Sequence, residues 1–220
     1  MTAMHRIELE ALYDDVLCSR RLLAHPFYRR WEAGELAVEE LAAYATEYRH
    51  FEAALPGVLE AIADGLAPGR PRSLVAANLA DERGVPTAHL ALFDRFAAAV
   101  GAAPGPAGPA AAALVAEYRR AAASGAVAGL AAVCAYEVQA PAIAVSKAAG
   151  LLAHYGLDGD ATRFWDVHGE VDEAHGEWML EALGAVATDA SEVRVAAVAA
   201  AEAWWRFLDE RQAAAAPTAA

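Results

Sequence analysis

Leucine, alanine and aromatic residues recur along this chain at spacings of three and four, the period of a helix with one apolar face. Nowhere does the alternation of a half-buried strand compete with that pattern. It predicts helices over residues 7–24, 37–66 with a bend at Pro56, 70–83, 87–101, 108–124, 126–154, 159–185 and 189–211. Glycine and proline punctuate between them. GAAPGPAGP at 101–109 reads as a turn-rich connector too short to separate independent cores, and AAAAPTAA at the end as a frayed tail. The fold class expected is therefore all-α, a bundle of about seven to eight helices forming a single domain over 1–212, with a disordered tail over 213–220. The alanine-rich runs repeat at no fixed period, which argues against a solenoid.

One segment carries more polarity than packing asks for. In FWDVHGEVDEAHGEW, His168, Asp172 and His175 stand at H-x3-D-x2-H spacing, so that three metal-binding groups fall on one face of a helix. Two imidazoles and a carboxylate suit a borderline ion such as iron, manganese or zinc better than calcium or magnesium, which prefer all-oxygen shells. The alternative is a solvated charged face, because Glu170, Glu173 and Glu177 crowd the same helix. A second set of donors exists. Glu82 and His89 are separated by six residues, with Gly84 and Pro86 breaking the helix between them, so capping or surface roles remain open for that pair. Glu137 sits in AAVCAYEVQAPAIAVSK among small apolar neighbours, where a buried carboxylate needs either an arginine or a metal ion as partner. Together Glu82, His89, Glu137, His168, Asp172 and His175 make a complete ligand set for two metal ions, by the same logic as the carboxylate and Glu-x-x-His sets of di-iron bundles.

Composition narrows the class of partner. The formal charge of −13 includes no basic run able to neutralise phosphates, so nucleic acid and anionic membrane are not expected partners. With 57% hydrophobic and 21% charged residues the chain is folded rather than disordered. The positive mean hydropathy of +0.22 comes from alanine, and no run of about 18 apolar residues lacks a charge or proline. MTAMHRIELEALYDD shows no basic region followed by an apolar one, so no secretory signal is expected and the cytoplasm is the expected compartment, with Cys18 and Cys134 as reduced thiols.

The order HPFYRRW, then E-x6-H, then a buried YE, then H-x3-D-x2-H resembles the haem-oxygenase-like di-metal oxidases, and the likeness runs from about Leu22 to Leu183. Within that superfamily the chain is most similar to the family of the chlamydial protein associating with death domains (CADD), linked to folate biosynthesis as p-aminobenzoate synthases. Tyr28 in HPFYRRW and Lys147, ten residues beyond Glu137, match positions that the family uses as reactants. The resemblance implies a haem-oxygenase-like helical bundle and two transition-metal ions, iron and/or manganese, held by the six residues named above. It also implies dioxygen and a small-molecule reductant as co-substrates, a sacrificed Tyr28 that supplies the aromatic ring, and Lys147 as the donor of the amine. A homodimer is the default expectation. On a helix continuous with Glu137, Lys147 would stand about 15 Å away along the axis, and burial would favour its nucleophilic neutral amine. Tyr44, Tyr48 and Tyr136 are candidates to relay electrons. The chain departs from the family at Phe164 and Arg49, where relatives carry tyrosine, so radical routing is open at those two places. The competing readings are an oxidase of an external fatty acid or amino acid, a thiaminase-like hydrolase using Cys134, and a non-catalytic interaction protein.

Overall fold

The computed structural model describes residues 4–84 and 87–214, with the side chains of residues 170–173 outside the description, and no strand occurs among the described residues. The helices are α1 (Arg6–Leu17), α2 (Pro26–Glu32), α3 (Val38–Gly65), α4 (Arg70–Arg83), α5 (His89–Ala99), α6 (Pro109–Ser124), α7 (Ala126–Glu137), α8 (Ala140–Tyr155), α9 (Arg163–Val186) and α10 (Ala190–Ala214). Short 3-10 turns at Leu22–Ala24 and Gly159–Ala161 lead into α2 and α9. Residues 215–220, most of the expected tail, lie outside the described residues.

Helix α7 lies at the centre. It packs on α3, α6, α9 and α10, and every residue from Gly129 to Glu137 is buried. Its alanines and Gly129 permit that crowding: a Cβ at Gly129 would stand only 2.6 Å from Ile62 Cγ1 of α3. Around it the core is aromatic, with Trp31, Trp165, Trp204, Tyr44, Tyr48, Tyr118, Phe27, Phe93 and Phe96 all fully buried. Area burial at this scale is the main stabilising term.

Two expectations are corrected. The helix expected over 7–24 ends at Leu17, and the chain turns at 22–24 into α2, which the periodicity did not reveal. The local chemistry for α2 is explicit: Phe27 N–H donates to His25 Nδ1 at 3.1 Å and Pro26 occupies the first turn, where its missing N–H costs nothing. The helix expected over 126–154 is two helices, broken at Val138 and Gln139. Pro141 explains the break, because its ring opposes the carbonyl four residues back, that of Glu137. Gln139 then uses its side chain to accept a hydrogen bond from Leu22 N–H at 3.0 Å. Lys147 therefore does not share a helix with Glu137, and the expected axial offset between them does not apply. Segment 126–155 is apolar and long enough to cross a membrane, yet it is this broken pair, and 56% of its most apolar window is buried inside the bundle.

Candidate active site

Helix α4 ends one residue after Glu82, and Gly84, at φ +55°, turns the chain so that α5 starts on His89. A side chain at Gly84 would strike Thr87 O, which a Cβ would meet at 2.1 Å, so this tight return depends on glycine. It brings Glu82 Oε1 to 3.2 Å from His89 Nδ1. His168, from α9, faces His89 with ring centroids 4.5 Å apart. The donor atoms of Glu82, His89 and His168 all lie within 4.8 Å of one another, and all three residues are buried. His168 Nδ1 lies 2.7 Å from Phe164 O; a carbonyl only accepts, so Nδ1 carries the proton and Nε2 the lone pair. Burial alone would raise the Glu82 carboxyl; the His89, His168 and His175 rings outweigh it and hold it below its ordinary value.

The structure brings His175 and Glu137 to the same end of the bundle. The His175 ring is fully buried, 6.3 Å from that of His89, with Nε2 3.1 Å from Asp81 Oδ2. Glu137 ends α7; Asn78 Nδ2 donates to its Oε1 at 3.4 Å, and its carbonyl backs onto Gly176, the residue after His175. The side chain of Asp172 lies outside the described residues. A buried, mixed set of carboxylate and imidazole donors fits a borderline transition-metal ion.

The other two expected residues meet each other in the aromatic core. Lys147 Nζ, on α8, donates to Tyr28 Oη of α2 at 2.9 Å and to Tyr44 Oη of α3 at 2.5 Å, and the two phenols lie 2.9 Å apart. Aromatic rings enclose the amine, with centroids at 4.2 Å for Trp165, 4.4 Å for Tyr28, 4.7 Å for Tyr44 and 5.1 Å for Tyr48. Burial holds the Lys147 ammonium well below its usual range, opposed by the negative charge of Glu52. The same burial raises the phenols of Tyr28, Tyr44 and Tyr48. Tyr48 and Tyr136 share a buried hydrogen bond of 2.8 Å between their hydroxyls.

Sequence reasoning missed Asn78, Asp81 and Glu52, and gave Tyr44 no direct contact with the amine. A signal existed for Glu52: Tyr44, Tyr48 and Glu52 follow at four-residue intervals along one face of α3. At the two departures, Arg49 is paired with Asp94 at 2.6 Å, and Phe164 packs on the His168 ring at 4.0 Å. Cys134 is fully buried, and burial drives its thiol far above the range in which a thiolate forms, which removes the ground for a nucleophilic role.

The sequence profile of the iron-containing redox enzymes, a haem-oxygenase family, matches residues 42–209. The chain belongs to that family. Among its relatives, the 4-aminobenzoate synthase of Nitrosomonas europaea is 35% identical over 215 residues, covering 89% of this chain and 87% of that one. The 4-aminobenzoate synthase of Chlamydia trachomatis is 31% identical over 206 residues, covering 89% and 88%. Solved structures confirm the haem-oxygenase-like fold. A CADD-like protein of unknown function from Nostoc punctiforme superposes with a TM-score of 0.77 at 17% identity, covering 96% of this chain and 98% of that one. A TenA homolog from Pseudomonas syringae gives 0.79 at 15% identity, covering 93% and 92%.

Proposed function

We propose that this chain makes 4-aminobenzoate from its own residues, with Tyr28 supplying the ring and Lys147 the nitrogen. The observation that carries this reading is the 2.9 Å contact between Lys147 Nζ and Tyr28 Oη. In 4-aminobenzoate the nitrogen occupies the ring carbon that in tyrosine bears the hydroxyl, so the amine already lies beside the atom it must replace. The enclosing aromatic rings assist by excluding water: Tyr28 and Lys147 are each 2% exposed. Burial favours the uncharged amine, the form able to bond to carbon, and the Tyr28 and Tyr44 hydroxyls fix where it points. Tyrosine Cβ must become the carboxyl carbon with the bond to Cα broken, the phenol oxygen must leave as water as nitrogen takes its place, and the Lys147 Cε–Nζ bond must break with Cε left as an aldehyde; these oxidations require dioxygen as oxidant and an external reductant.

Glu82, His89, Glu137, His168, Asp172 and His175 are the residues we assign to hold two metal ions, iron and/or manganese. Bound there, the metals would supply the binding and reduction of dioxygen. The chain's own part is to set the donors: Glu82 stays ionised among three imidazoles, and the Phe164 carbonyl fixes the tautomer of His168.

Expression with ring-labelled tyrosine tests the proposal. Metal-loaded protein given dioxygen and reductant should release labelled 4-aminobenzoate, at no more than about one equivalent per chain. Tyr28→Phe and Lys147→Arg should each abolish product with metal content unchanged. Unlabelled product, or many turnovers on an added small molecule, would overturn the reading in favour of an ordinary oxidase.

A further inference from the structure

Helix α4 presents Asn78, Asp81 and Glu82 at the i, i+3, i+4 spacing of neighbours on one helical face. Glu82 is an assigned ligand; the other two each touch an assigned ligand borne by a different helix. Asp81 Oδ2 lies 3.1 Å from His175 Nε2 on α9, and Asn78 Nδ2 lies 3.4 Å from Glu137 Oε1 on α7. A carboxylate can only accept, so this contact fixes Nε2 of His175 as the donating nitrogen and leaves Nδ1 as the nitrogen to face a metal. The Asp81 side chain is 44% exposed while His175 is fully buried, so it reaches from the surface to the ring. Asn78 is fully buried, and its Oδ1 has no hydrogen-bond partner among the described residues. Packing does not account for an asparagine there, since a leucine of similar shape would fill the space without leaving a buried carbonyl unsatisfied.

We infer that Asn78 and Asp81 are positioning residues, through which the face of α4 that carries Glu82 also fixes the carboxylate of Glu137 and the ring of His175. The inference rests on the metal-centre reading above. Each residue acts on an assigned ligand and not on substrate, so its loss changes how well the ligand is preset for metal. Partners of this kind are worth about 10- to 100-fold in metal affinity.

The test is titration of metal-free protein with Mn(II), with the free ion followed by electron paramagnetic resonance, alongside thermal melting of the metal-free state. Asp81→Ala and Asn78→Leu should each weaken binding by about 10- to 100-fold. The metal-free midpoint should stay within a few degrees of wild type for both variants, because at Asn78 the relief of the unsatisfied carbonyl offsets the donor lost to Glu137. Asp81→Asn keeps an acceptor oxygen and should recover part of the loss, a rescue that a purely structural role would not show. Affinities within twofold of wild type in both variants would overturn the inference, as would losses that follow a fall in the metal-free midpoint. Wild-type protein that takes up no Mn(II) or Fe(II) would instead overturn the metal-centre reading itself.

Discussion

Lysine ordinarily carries its charge to water, and Lys147 does the opposite, with its amine among tyrosine and tryptophan rings and 2% exposed. Its depressed pKa has a consequence for stability. Between its value in the fold and the usual value near 10.5, the unfolded chain binds a proton there that the folded chain does not, so stability rises with pH across that window. The slope reaches at most about 1.4 kcal/mol per pH unit. Above about pH 10 the trend reverses, because the phenols of Tyr28, Tyr44 and Tyr48 stay protonated in the fold while those of the unfolded chain ionise. Urea denaturation from pH 7 to 10 should show this rise in wild type and a flatter profile in Lys147→Met; identical profiles would mean the amine stays charged in the fold. Single residues stood out where their spacing was abnormal, as His168 and His175 in H-x3-D-x2-H, or where a charge interrupted an apolar helix, as at Glu137, and the structure buries all three. Asn78 and Asp81 were not. Their partners stand 59 and 94 residues away, and a lone asparagine or aspartate in a helix looks like surface until the neighbouring helices are in place.

The approach of α2 to α8 decides whether Tyr28 and Lys147 meet, and Gly150 controls it. A Cβ at Gly150 would lie 3.0 Å from Trp31 Cδ1 and 3.1 Å from Trp31 O, while Trp31 Nε1 donates to Lys147 O at 3.3 Å. Gly150→Val should force the helices apart at a cost of about 1–3 kcal/mol. A displacement of about 1 Å at a reacting pair is worth on the order of 100-fold in rate. Product should therefore fall steeply while Mn(II) affinity holds, because no assigned ligand lies on α2 or α8; a variant with full product yield would show that α2 and α8 need not be this close. Long periodic elements read well: α4 was expected at 70–83 and spans Arg70–Arg83. Helix α2 escaped because seven residues make fewer than two turns and leave no period to detect. The join of α7 to α8 escaped because apolar residues continue across it, and only Pro141, set against the Glu137 carbonyl, marks the boundary.

Across the whole molecule, the assigned ligands come from α4, α5, α7 and α9, so bound metal would fasten four helices at one end of the bundle. At a free metal concentration 100 times the dissociation constant, that linkage stabilises the fold by about 2.7 kcal/mol for each ion bound. For a chain of this length the thermal midpoint should drop by roughly 5–10 °C for each ion that a chelator strips. A His168→Ala, His175→Ala double variant should show no such shift, and an equal shift in both proteins would place the metal elsewhere. The all-helical class was legible from period alone, whereas the convergence of residues 82, 89, 137, 168 and 175 depends on how helices pack and has no local signature. The packing of Tyr28 also bears on the fate of the protein after it has acted. Its ring lies in contact with Lys147 and Tyr44 and is 2% exposed. A chain that gives up that ring keeps its backbone and loses a filled core position, the equivalent of a large-to-small truncation costing about 3–5 kcal/mol. Against a folding margin of about 5–15 kcal/mol, that moves the spent chain toward the threshold at which proteases clear unfolded molecules. Each copy would then carry its own expiry, so that the number of intact chains measures the product still to be made.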